Sequence, residues 1–147
     1  DLQEQIEEHK AVIELNENCE VYIIPFLFRQ VLHNLLTNAL KFSKKNVPQH
    51  IVIQCQKVHS GEVVELHSLS QGNYSHISIS DNGIGFKNEF REKIFEVFQK
   101  LHSKDEYAGT GIGLAIVKKI IENHNGVIFA TSEINKGSTF DIYIPVK

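Results

Sequence analysis

Between Phe26 and Phe42, apolar residues recur at positions 27, 28, 31, 32, 35, 36 and 39. This is the three-and-four spacing of a helix with one buried stripe, and Pro25 suits its first position. A second such pattern, Ile116, Val117, Ile120 and Ile121, predicts a helix over Ile112–His124, with Gly126 ending it in the left-handed conformation. Alternation of apolar and polar residues predicts strands over Ile51–Val58 and Tyr74–Asp81, and two more over Val127–Thr131 and Ser138–Ile144 around the turn Asn135-Lys136-Gly137. Ala11–Leu15 and Val21–Ile24 read as short strands separated by Asn16-Glu17-Asn18. Residues 1–9, with Leu2 and Ile6 at helical spacing, read as the end of a helix or linker, and Asn88–Phe98 as a short amphipathic helix. Ser60–Asn73 reads as a hairpin or loop, and Gln99–Ala108 is polar and aperiodic. The order predicts an α/β sandwich of the α+β class: a mixed sheet of about five strands with three main helices on one face.

A chain of 147 residues suits one domain spanning residues 1–147. With 41% hydrophobic residues, 22% charged residues and a net charge of −3, nothing suggests a nucleic-acid partner. No apolar run approaches the ~20 residues that cross a bilayer, and no signal peptide is visible. The domain is therefore expected to make no membrane contact and to be cytoplasmic, whether or not a parent protein is membrane-anchored. Cys19 and Cys55 flank apolar runs without metal-ligand spacing and read as reduced thiols. A chain that begins at Asp1 and contains no methionine reads as a piece of something longer.

Chemistry concentrates in two glycine-containing runs. Asp81-Asn82-Gly83-Ile84-Gly85 follows a strand, and Gly109-Thr110-Gly111-Ile112-Gly113-Leu114-Ala115 runs into a helix. The second run would set its amides at a helix N-terminus, where phosphate is favoured. It is neither a Walker loop, since no Gly-Lys-Ser/Thr follows, nor a dinucleotide fingerprint, since no strand directly precedes it. Positions 75, 77, 79 and 81 share one side of their strand, and Ile77 and Ile79 mark that side as core-facing. A carboxylate there can accept a hydrogen bond from an exocyclic amine in an apolar pocket. The alternative is an ordinary turn aspartate before Asn-Gly.

On the helix from Phe26, the residues Gln30, Asn34, Asn38 and Lys41 fall on one face beside the apolar stripe. They form either a solvated face or a polar wall in which an amide oxygen suits Mg²⁺ and a lysine suits phosphate. The eight histidines show no zinc-ligand spacing and read as solvated or structural.

In this order, the pieces resemble the catalytic, ATP-binding domain of two-component sensor histidine kinases, within the GHKL superfamily. Arg29–Phe42 is similar to the N box, Asp81–Gly85 to the G1 box and Ile94–Phe98 to the F box. Gly109–Ala115 is similar to the G2 box and Gly137-Ser138-Thr139-Phe140 to the last glycine box. The stretch Phe98–His102 with Glu106–Gly109 is most similar to short-lid, phytochrome-type hybrid kinases.

The resemblance implies ATP and Mg²⁺ as cofactors, with Asn38 holding the metal and Lys41 contacting a phosphate. It implies that Asp81 accepts from the adenine amino group with Thr139 in support, that Gly83 and Gly85 shape the base loop, and that Gln99–Ala108 forms a lid. Gly109, Thr110, Gly111, Gly113 and Leu114 would wrap the phosphates, and Lys100 stands where many members have an arginine near the terminal phosphate. Asn34 occupies the place of the glutamate in hydrolysing members such as gyrase and MutL.

The implied reaction is γ-phosphoryl transfer to a histidine on a separate dimerisation domain of the same or a partner chain, with a response regulator downstream. Residues 1–9 would then end the linker from that domain. The rival readings are a non-catalytic nucleotide-binding signalling module and, against Asn34, an ATPase.

Overall fold

A computed structural model describes residues 2–8, 10–16, 19–96 and 113–146. Helix α1 (Leu2–Glu8) leads into strand β1 (Val12–Asn16), and α2 (Pro25–Lys41) follows. Strands β2 (His50–His59) and β3 (Asn73–Asp81) precede α3 (Gly113–Asn123), and β4 (Val127–Glu133) and β5 (Gly137–Pro145) complete the described fold. The sheet order is β1-β2-β3-β5-β4, parallel between β1 and β2 and antiparallel elsewhere. This is the mixed five-stranded sheet that the alternation predicted. Among the described residues no helix is long and apolar enough to cross a membrane.

The core lies between the helices and one face of the sheet. Val31, Leu35 and Leu40 of α2 and Val117 and Ile121 of α3 are buried in one cluster with Ile51, Ile77, Ile79, Phe140 and Ile142. Helix α2 starts with Pro25 at its N-terminus, where a missing N–H costs nothing. Its C-terminal carbonyls have partners: Phe42 N–H donates to Asn38 O (3.2 Å), and Ser43 Oγ donates to Leu40 O (2.9 Å). The side chain of Gln49 donates to Ala39 O at 3.0 Å. The opposite face of the sheet carries a smaller cluster of Leu66, Tyr74 and Tyr143, covered by the two 3₁₀ turns Ser60–Glu62 and Val64–Leu66. Burial, then the charges of Asp141 and Glu65, push the Tyr143 phenol up to about 12.

Four local expectations are corrected. Val21–Ile24 is not a strand: the segment folds across the sheet, where Ser75 Oγ donates to Glu20 O. That crossing also brings Cys19 to Cys55, Cα atoms 5.7 Å apart, and the structure pairs them as a disulfide rather than as two reduced thiols. The cysteines therefore no longer argue for a reducing compartment. Asn88–Phe98 is not one amphipathic helix. Its described part forms two 3₁₀ turns, Asn88–Phe90 and Lys93–Phe95, which bury Ile94 and Phe95 without a continuous helix. Past α3 it is Asn125, at φ 63°, that takes the left-handed conformation. Gly126 is small for another reason: a Cβ there would overlap the Tyr143 carbonyl oxygen.

His124 serves a structural role. His124 Nδ1–H donates to Ile120 O (2.8 Å) while its Nε2 accepts from Ile24 N–H (3.2 Å), joining the end of α3 to the start of α2.

Candidate functional site

Asp81 is the last residue of β3, opposite Ile51 on one side and Ser138 on the other. Its Oδ1 accepts from the Gly83 N–H at 2.8 Å and the Ser138 N–H at 3.3 Å. Both bonds converge on one oxygen, so among the described residues it is backbone groups that orient the carboxylate. Burial raises its pKa above the usual 3.8, and those two hydrogen bonds oppose the rise. Beside it opens a cleft of about 470 Å³, lined by Asp81, Asn88, Ser132, Lys136, Ser138 and Thr139.

The loop after Asp81 is wedged between two neighbours. Ile84 N–H donates to Phe42 O (2.9 Å), tying it to the end of α2, and Asn135 N–H donates to Ile84 O (2.8 Å), tying it to the β4–β5 turn. A Cβ on Gly83 would press on Phe42 O. Gly85, at φ 67°, lies against Glu133 O, so both its conformation and its lack of a side chain are required there.

Helix α2 presents Asn34 and Asn38 half-buried and Lys41 exposed. The Asn34 amide donates to Gly113 O at 3.3 Å, joining the middle of α2 to the first turn of α3. Among the described residues no atom lies within 4 Å of where a Gly113 Cβ would stand, and Leu114 packs against the core. The positive end of the α3 dipole thus lies beside the polar face of α2. Among the described residues no cluster of three His, Cys, Asp or Glu side chains could hold a metal. A lone amide oxygen such as that of Asn38 fits Mg²⁺, which binds through few protein oxygens when phosphates complete its shell. Lys100, Gly109, Thr110, Gly111 and the Gln99–Ala108 lid lie outside the described residues.

Thr139 lines the same cleft as Asp81, but among the described residues no hydrogen bond joins it to the carboxylate. It pairs with Ser80, and the two hydroxyls lie 3.0 Å apart on the opposite face of the sheet. The residue beside the carboxylate is Ser138, whose hydroxyl lies 2.9 Å from that of Ser132. The alternation that put Asp81 on the core side carried the signal for this too: Phe140 and Ile142 are core residues, so 138 shares their face and 139 does not.

Residues 24–147 match the family described as histidine kinase-, DNA gyrase B-, and HSP90-like ATPase. The chain is 38% identical over 145 residues to the phytochrome-like protein Cph1 of Synechocystis, covering 99% of this chain and 18% of that protein. It therefore spans less than a fifth of that relative's length. The catalytic domain of the histidine kinase ThkA has the same fold, with a TM-score of 0.71 and 27% identity over 98% of this chain and 84% of that one. Full-length ShkA in complex with AMPPNP matches in fold with a TM-score of 0.73 and 22% identity, over 98% of this chain and 27% of that one.

Proposed function

This chain belongs to the histidine kinase-, DNA gyrase B-, and HSP90-like ATPase family, and from that membership we propose that it binds Mg²⁺·ATP and transfers the γ-phosphoryl group to a histidine on a separate helical dimerisation domain. A response regulator is the downstream acceptor in this reading. The observation that carries it is the Asp81 carboxylate, half-buried at the end of a central strand and held by two backbone amides at the edge of the cleft. Asp81 accepts the exocyclic amine of adenine. Guanine presents an oxygen at that place, so GTP is a poor ligand.

Phosphoryl transfer asks for positioning and charge stabilisation rather than covalent help from the protein. Mg²⁺, when bound, neutralises charge on the phosphates. Asn38 supplies its amide oxygen, and Lys41 supplies a cation to the same end of the nucleotide. The N–H groups at the start of α3, from Gly113 and Leu114, face the phosphates. By resemblance Gly109, Thr110, Gly111 and Lys100 complete that wall. Asn34 cannot take a proton from water, which disfavours hydrolysis and leaves the nucleotide for an acceptor imidazole.

The test is incubation with γ-labelled ATP and Mg²⁺, with and without a supplied dimerisation domain. Acid-labile label is expected on the supplied domain, with little label on this chain and little phosphate release. Asn38→Ala should abolish most of the transfer and weaken Mg²⁺·ATP binding while sparing metal-free ADP binding. Nucleotide binding without transfer would favour the non-catalytic signalling module, and rapid phosphate release would favour the ATPase.

Gly113 separates ligand from fold. Because its Cβ position is open among the described residues and it belongs to a helix, Gly113→Ala should stabilise the domain by about 0.5 kcal/mol. If phosphate approaches this backbone, ATP affinity should fall several-fold in the same variant. Thermal melts and titration calorimetry on one preparation read both, and unchanged affinity would remove Gly113 from the phosphate wall.

A further inference from the structure

One polar side chain of the core is none of the residues assigned above, yet touches the elements that carry them. Gln49 is 1% exposed, and its Nε2 donates to Ala39 O at 3.0 Å, one residue beyond Asn38 and two before Lys41. The residues on either side of it are gripped by a single amide: Asn82 Oδ1 accepts from His50 N–H (2.8 Å), and Asn82 Nδ2 donates to Pro48 O (3.2 Å). Asn82 directly follows Asp81, and its own N–H donates to His50 O at 3.3 Å. Pro48-Gln49-His50 is thus a bracket with one arm on the end of α2 and the other on the loop that begins at Asp81. Gln49 O also accepts from Val12 N–H at 2.8 Å, so the bracket is anchored on β1 as well.

We propose that Gln49 is a positioning residue that fixes the distance between the base-binding end of the site at Asp81 and the metal- and phosphate-binding end at Asn38 and Lys41. The proposal rests on the nucleotide-binding reading above. A nucleotide is bound at both ends at once, and its phosphates add to the affinity only if Asn38 and Lys41 stand at the right span from the adenine. Leucine at 49 fills a similar volume and removes the donor to Ala39 O. The last turn of α2 can then shift relative to the loop, and small misplacements of a bound group are costly. Adenosine, which reports only the base end, should be nearly indifferent to that shift.

The discriminating quantity is the ratio of the adenosine Kd to the Mg²⁺·ATP Kd, measured by calorimetry on wild type and on Gln49→Leu. A role confined to stability would lower the melting temperature and leave the ratio alone in the folded protein. Positioning predicts that the ratio falls about tenfold, with adenosine affinity within about twofold of wild type. Asn82→Ala, which loosens the other arm from outside the core, should lower the same ratio by about threefold.

A folded Gln49→Leu with the wild-type ratio would overturn the proposal. Should that variant not fold at the titration temperature, an unchanged ratio in Asn82→Ala would overturn it instead. Wild type binding Mg²⁺·ATP no more tightly than adenosine would overturn the nucleotide reading itself, an outcome distinct from either.

Discussion

Asp81→Asn is expected to weaken ATP binding by about 1.5–3 kcal/mol, roughly 10- to 150-fold, while leaving the melting temperature at neutral pH unchanged or higher. The two effects separate because the carboxylate oxygens have different partners. Oδ1 is held by Gly83 and Ser138, and an asparagine oxygen keeps both bonds, though less strongly than an ionised carboxylate. The asparagine NH₂ must then stand where the second oxygen was, a donor facing the donating adenine amine.

The stability side follows from the raised pKa. A carboxyl whose folded-state pKa lies above its unfolded value contributes stability that is fully present below the unfolded pKa and lost as pH rises through the folded one. At neutral pH the ionised Asp81 therefore costs stability, and the neutral amide removes that cost. For the same reason ATP affinity should begin to fall on acidification at a pH above the usual carboxylate range, as Asp81 takes up its proton. Calorimetry across pH, with melts on the same samples, checks all three statements. Wild-type ATP affinity in the variant would remove Asp81 from the site.

Gly137→Ala should be the most damaging small substitution at the site, costing at least about 3 kcal/mol. Gly137 opens β5 at φ 120°, where an L side chain is strained. Its Cβ would overlap the Asp81 carbonyl oxygen and press on Asn82 Cα, both backbone atoms of the base loop. Relief requires β5 to separate from the end of β3, which displaces Asp81 and breaks its bond to the Ser138 N–H. Denaturant midpoints should drop sharply, and ATP binding should be lost even under conditions where the variant remains folded. A stable Gly137→Ala that binds ATP normally would show that the β5 start has freedom this packing denies. Gly113→Ala differs in that its Cβ meets no described residue, so the fold tolerates it and only a bound phosphate is expected to object.

Helices α2 and α3 and the five strands were legible because each buries one periodic face, and period survives in a single sequence. The core-side placement of Asp81 was legible for the same reason, since Ile77 and Ile79 declare which side of β3 is inside. Legibility failed where a long-range partner overrides local pattern. Val21–Ile24 alternates like a strand, but the five paired strands leave it crossing the sheet, held by Ser75 and Cys55. Asn88 Oδ1 is committed to Ser132 N–H, and the chain after it turns twice in place of a continuous helix. Thr139 reaches the cleft but pairs with Ser80, while Ser138, on the face of Phe140 and Ile142, stands beside the carboxylate. Gln49 carried no local signal at all. A lone glutamine between a proline and a histidine gives no hint of a carbonyl ten residues back.

The small cluster on the outer face of the sheet bears on how the base is received. β3 is hydrogen-bonded along both edges, lies against the main core through Ile77 and Ile79, and is backed on the other side by Tyr74 under Leu66. A strand enclosed in this way opens only with the global unfolding of the domain, so its amides belong to the slowest-exchanging class. Asp81 rides on the end of that strand. The entropy of ordering it is spent when the chain folds and does not recur when a nucleotide arrives, so the proposed adenine contact should lose little affinity to ordering at the protein's end.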